Sequence, residues 1–130
     1  MAYRVLMMED NVQTTKEVAA YFLGKGMEVV GCVKREEAER LFLAQRFDLA
    51  LMCIMIMDEN GVNELNGGYR MCRWIRERDK EIPVVFFTAR GDEVDQEQGF
   101  ECGCDDYIVK PCSMCLLYQR IIHLIEKRRD

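Results

Sequence analysis

Five residues far apart in the chain carry side chains that could share one piece of chemistry: Glu9 and Asp10, Cys53, Thr88 and Lys110. Two adjacent carboxylates suit a hard divalent cation such as Mg²⁺, which takes oxygen ligands and keeps several waters. A lysine and a hydroxyl suit a phosphoryl group, one by charge and the other by hydrogen bonding. A cysteine placed among them is a soft ligand that binds Mg²⁺ poorly, and it is a nucleophile only as the thiolate. Nearby acids would disfavour that thiolate while the ammonium of Lys110 would favour it.

Each of the five follows or lies within a short apolar run, and in open parallel sheets ligands bind in the crevice outside the strand carboxyl ends. The stretch Phe47 to Met57, FDLALMCIMIM, is almost wholly apolar from Leu49 onward and predicts a central strand buried on both faces, with Cys53 toward its carboxyl end. RVLMM (4–8) predicts a strand ending at Glu9, Asp10 and Asn11, and MEVVGCV (27–33), VVFF (84–87) and YIV (107–109) predict three more. Between them, residues 14–23, 35–45, 69–78, 92–102 and a segment opened by Ser113 have helical spacing of apolar residues. In residues 92–102 only Val94 and Phe100 read as inward-facing, and Met71, Cys72, Trp74 and Ile75 do so in residues 69–78. The segment from Asp58 to Gly68 is polar and glycine-rich, and it reads as a loop longer than the usual roughly two to six residues between a strand and a helix. Five strands alternating with five helices imply an α/β fold, a doubly wound parallel sheet with helices on both faces.

A chain of 130 residues is one domain's worth, and 49% hydrophobic with 32% charged residues suits a folded, soluble protein. The net charge of −5 lacks the basic field that holds a nucleic-acid backbone, so no direct nucleic-acid binding by this domain is expected. No apolar run reaches the roughly 20 residues that span a bilayer, and MAYRVLMMED has neither the basic end nor the cleavage site of a signal peptide. The expected location is cytoplasmic. Seven cysteines without an export signal favour free thiols over a disulfide framework.

The ordered set Glu9-Asp10, FDLAL before position 53, Ile54-Met55, Gly68-Tyr69, Thr88-Ala89-Arg90 and the run from Gly103 through Lys110-Pro111 resembles the receiver domain of two-component response regulators, over nearly the whole chain. The resemblance implies the flavodoxin-like strand order 2-1-3-4-5, for which a receiver is a standard example. It also implies roles. In receivers the acidic pair helps to hold Mg²⁺, an aspartate ending the third strand takes a phosphoryl group from a partner kinase, and the equivalents of Thr88 and Lys110 bind that group. The equivalent of Tyr107 reports occupancy by moving inward, and the bond between Lys110 and Pro111 is often cis. This chain departs from the pattern in having Cys53 where the acceptor aspartate belongs, Met57 where a proline is usual, and a longer loop after it.

Cys53 thus removes the usual nucleophile and one oxygen ligand, which predicts a weakened Mg²⁺ site and leaves Lys110 to pair with Asp10 in a fixed arrangement. Two rival readings stand beside this one: a phosphoacceptor using Asp58 or Glu59 with Mg²⁺, and a thiol redox sensor acting through Cys53. Cys102, Cys104, Cys112 and Cys115 resemble a zinc site only loosely, and packing in small core positions is the preferred reading. His123 lies away from the strand ends, Trp74 reads as packing on the sheet or covering its edge, and Lys127 to Arg129 read as a solvated helix end. The expected organisation is a receiver over residues 1–126, with 127–130 beginning a linker to an output domain of the winged-helix, DNA-binding kind. The expected role is signalling without independent enzymatic activity. The implied partners are a sensor histidine kinase or another signalling protein, and the face of helix 4, strand 5 and helix 5 is the expected surface for a homodimer, if one forms.

Overall fold

A computed structural model describes residues 2–57 and 60–129. Its elements are β1 (Tyr3–Met8), α1 (Val12–Leu23), β2 (Met27–Cys32), α2 (Arg35–Ala44), β3 (Leu49–Met52), β4 (Ile56–Met57), β5 (Asn63–Glu64), α3 (Gly67–Arg78), β6 (Val84–Thr88), α4 (Glu93–Glu101), β7 (Asp106–Val109) and α5 (Met114–Arg129). Five strands form one parallel sheet in the order β2-β1-β3-β6-β7. With the small β4–β5 hairpin set aside, this is the expected order 2-1-3-4-5.

Local chemistry sets the helix ends. The Asn11 side chain accepts from the Thr14 N–H at 3.1 Å, and the Ser113 hydroxyl accepts from the Leu116 N–H at 3.1 Å, each satisfying a donor that the first helical turn leaves open. Successive strand residues point to opposite faces, and both faces are covered. Leu6, Met8, Ala50, Met52, Val84 and Phe86 pack under α2, α3 and α4, while Val5, Met7, Leu49, Leu51, Val85 and Phe87 pack under α1 and α5. Sulfur is plentiful in this interior. Met7, Met8, Met27, Met52 and Met71 are buried, as are Cys32, Cys53, Cys72, Cys102 and Cys104.

The central strand is shorter than its composition suggests. It ends at Met52, where its partners Met8 and Phe86 supply the last register pairs. Ile54 stays fully buried because the amino end of α3 covers it, the Gly68 N–H donating to the Ile54 carbonyl at 2.8 Å. Ile56 and Met57 then pair antiparallel with Glu64 and Asn63, so part of the expected loop is a hairpin.

In α4 the expected inward residues are the exposed ones: Val94 is 71% and Phe100 51% exposed. The buried position is Gly99, where a Cβ would lie 2.8 Å from the Tyr107 ring. Trp74 is half-buried against the core, edge-to-face with Phe42 and with the Arg78 guanidinium 3.9 Å above its ring. Leu23 on α1 and Leu116 on α5 are exposed.

Candidate functional site

The register of the sheet builds the pocket. β1 and β3 stop level with each other at Met8 and Met52, and the Cys53 N–H makes one further bond to the Met8 carbonyl at 2.9 Å. Glu9, Asp10 and Cys53 therefore leave the sheet side by side, and one carboxylate oxygen from each acid and the Cys53 Sγ all lie within 4.8 Å of one another. Gly68 lets α3 close against this corner. A Cβ there would stand 2.4 Å from the Cys53 carbonyl oxygen and 2.7 Å from the Ile54 Cα, so no larger residue fits without moving backbone.

Lys110 directly follows β7 and is joined by a cis peptide bond to Pro111, and its Nζ donates to the Glu9 Oε1 at 2.6 Å. The expected partner was Asp10, but Glu9 is 1% exposed and faces inward while Asp10 is exposed. A buried carboxylate gains more from an ammonium than one that water already solvates. The other Glu9 oxygen accepts from the Asn11 N–H at 3.1 Å. Burial raises the Glu9 carboxyl above its usual range, as does a hydrogen bond with Asp10, and the bond from Lys110 works the other way.

Burial is also the main force on the Cys53 thiol. It pushes the pKa above the ordinary 9.0, Glu9 adds to the rise, and Lys110 opposes it. The thiol is therefore mostly protonated at neutral pH, which makes it a poor nucleophile and a poor metal ligand. A donor set of one protonated thiol, one exposed carboxylate and one carboxylate already engaged on both oxygens does not suit Mg²⁺, which favours oxygen ligands in near-ideal octahedral geometry.

Thr88 ends β6, and its hydroxyl accepts from the Arg90 N–H at 3.2 Å while its carbonyl accepts from the Lys110 N–H at 2.8 Å. Tyr107 is turned inward, 6% exposed, and its hydroxyl donates to the Arg90 carbonyl at 2.5 Å. Its ring packs on Phe86, which packs edge-to-face on Tyr69. The Tyr69 hydroxyl donates to the Asp95 carbonyl at 2.9 Å. Arg90 binds the Asp95 carboxylate at 2.6 Å and, through its other terminal nitrogen, the Leu65 carbonyl at 2.9 Å and the Asn66 side chain at 3.3 Å.

Sequence reasoning gave no role to Tyr69, Arg90 and Asp95. The one local signal was Gly67-Gly68 before Tyr69, a pair of residues small enough to seat a helix end against another backbone. Asp58 and Glu59, the rival acceptors, lie outside the described residues. Cys102 and Cys104 precede β7 while Cys112 and Cys115 follow it, and among the described residues these four form no metal-binding group. His123 is exposed on α5.

Three comparisons bear on this arrangement. Residues 5–122 match the family model for the response regulator receiver domain. The chain is 34% identical over 124 residues to the transcriptional regulatory protein YclJ of Bacillus subtilis, covering 95% of this chain and 51% of that protein. It is 30% identical over 124 residues to the transcriptional regulatory protein ResD of the same organism, again over 95% of this chain and 48% of the relative. The chain thus spans about half the length of these curated relatives. A two-component response regulator from Clostridium difficile has the same fold, with a TM-score of 0.86 at 20% identity, over 98% of this chain and 99% of that one.

Proposed function

The chain belongs to the response regulator receiver family, and we propose that it is a receiver whose switch is set without a phosphoryl group on position 53. One observation carries this reading: the ammonium that would bind the phosphoryl group is held 2.6 Å from Glu9, beside a thiol where the family has its acceptor aspartate. In this reading Thr88 and Lys110 are the phosphoryl-binding positions, Tyr107 is the switch residue, and Glu9 and Asp10 are a metal site of low Mg²⁺ affinity. Tyr107 already lies inward, the orientation that the family associates with an occupied pocket.

The domain is a signalling module that works by contact with other proteins. No helix among the described residues is long and apolar enough to cross a membrane. The partners in this reading are a sensor histidine kinase or another signalling protein, and a second copy docked through α4, β7 and α5. The relatives named as transcriptional regulators support an output in transcription control, through a DNA-binding segment joined after α5. The thiol-sensor reading fares worse, because burial and Glu9 both hold Cys53 in its unreactive form.

The test is treatment of the purified chain with acetyl phosphate and Mg²⁺, followed by intact and peptide mass spectrometry, with Cys53→Asp in parallel. The expected result is no phosphoryl adduct on the wild type and an adduct on the new carboxylate at position 53 of the variant. A phosphoryl group on Asp58, Glu59 or Cys53 of the wild type would replace this reading with that of an active phosphoacceptor.

A further inference from the structure

The hairpin β4–β5 interrupts the usual passage from β3 to α3, and polar contacts bind it to both of its neighbours. On one side Glu64, whose side chain is 13% exposed, accepts from the Arg35 Nε at 3.0 Å and from the Arg70 Nη1 at 3.1 Å. Arg35 also binds Glu39 at 2.6 Å, and Met57 forms a backbone bridge with Lys34. These contacts fix the hairpin to α2 and to the first turn of α3. On the other side the chain leaving β5 meets Arg90, one of whose terminal nitrogens binds Leu65 and Asn66 while the other binds Asp95 on α4.

The planar fork of a guanidinium couples those two contacts, since turning one nitrogen turns the other. The Arg90 carbonyl meanwhile holds the Tyr107 hydroxyl, and the Asp95 carbonyl holds that of Tyr69. The helix at the receiving end has little else to hold it. In α4 the large apolar residues Val94 and Phe100 point outward, and the buried position is a glycine. An element with so few buried apolar contacts lies at the low end of local stability, where a few polar bonds decide its position.

We infer that the β4–β5 hairpin is a latch that holds α4 and Tyr107 in place through Arg90. A force on the hairpin is thereby delivered to the α4–β7–α5 face without passing through Cys53. This rests on the reading above only in taking that face as the output.

The experiment is hydrogen exchange measured by mass spectrometry on the wild type, Glu64→Gln, Arg90→Met and the double variant, with no phosphodonor present. The ion pairs of Glu64 are to α2 and α3, so a response in α4 reports transmission. The amides of residues 93–101 are expected to exchange about threefold to tenfold faster in each single variant, and no faster in the double variant than in the more affected single one. Arg70→Gln, on an exposed side chain, replaces Glu64→Gln if the latter fails to fold. A response confined to Arg90→Met, or effects that simply add, would overturn the latch and leave the phosphorylation result untouched.

Discussion

The pocket at Cys53 and the cluster around Arg90 sit at the same end of the sheet, yet they are held by opposite means. In the pocket a single charged pair, Lys110 on a fully buried Glu9, fixes the geometry, and the third group is a thiol that burial keeps protonated. Around Arg90 the hold is spread over two tyrosine hydroxyls, two backbone carbonyls and a partly buried guanidinium. A concentrated electrostatic hold fails all at once when one partner is removed, whereas a distributed one weakens by increments. The difference implies that a substitution in the pocket need not disturb the tyrosine-bearing cluster beside it.

The largest test of this contrast is Lys110→Met, which leaves Glu9 buried without its cation. A loss of about 3 kcal/mol is expected at neutral pH, read from urea midpoints. The pH dependence follows from the raised Glu9 carboxyl, whose folded-state pKa climbs further once Lys110 is gone. A raised carboxyl contributes its stability below the unfolded value of 4.5 and loses it as pH rises through the folded one, so the deficit should shrink as pH falls toward 4.5. An equal deficit at every pH would show that the pair does not dominate the pocket.

Next in size is Gly99→Ala on the other side of the comparison. The added methyl meets the Tyr107 ring at 2.8 Å and Phe86 at 3.2 Å, which should cost about 2 kcal/mol even after the gain in helix propensity. Exchange in α4 should rise while the pocket keeps its Lys110–Glu9 pair. Smallest is Tyr107→Phe, which removes one hydroxyl bond to Arg90 and keeps the ring packing, for about 1 kcal/mol in the same urea assay. If it cost as much as Lys110→Met, the hold around Arg90 would be concentrated after all.

The parallel order of the sheet was legible because each strand is a short apolar run bounded by turn residues and helical spacing. The five chemical residues stood out because each lies at or just beyond a strand end. The length of β3 was not legible, since an apolar side chain covered by a helix end looks the same in sequence as one covered by a sheet. Ile54 is that case. The choice between Glu9 and Asp10 was equally hidden, because adjacent acids differ only in which way the chain turns after Met8. The hairpin escaped notice because Asn63 and Glu64 are polar and pair only with Met57 and Ile56. Arg90 lies in the Thr88-Ala89-Arg90 motif, but its reach to Leu65 across 25 positions depends on how α3 is seated, and composition carries no trace of that.

The sulfur-rich interior has an effect on the lifetime of the molecule. While the fold is closed, five thioethers and five thiols are shielded from oxidants, and the thiols of Cys32, Cys72 and Cys104, with pKa values pushed up to about 12, are inert. Once the chain opens, every one of those atoms becomes a target, and a sulfoxide or sulfinic acid formed there is too polar to return to a close-packed apolar site. In a reducing medium, opening and closing can repeat without damage. Under oxidising conditions each opening carries a chance of being the last, so the age of the population is counted in unfolding events.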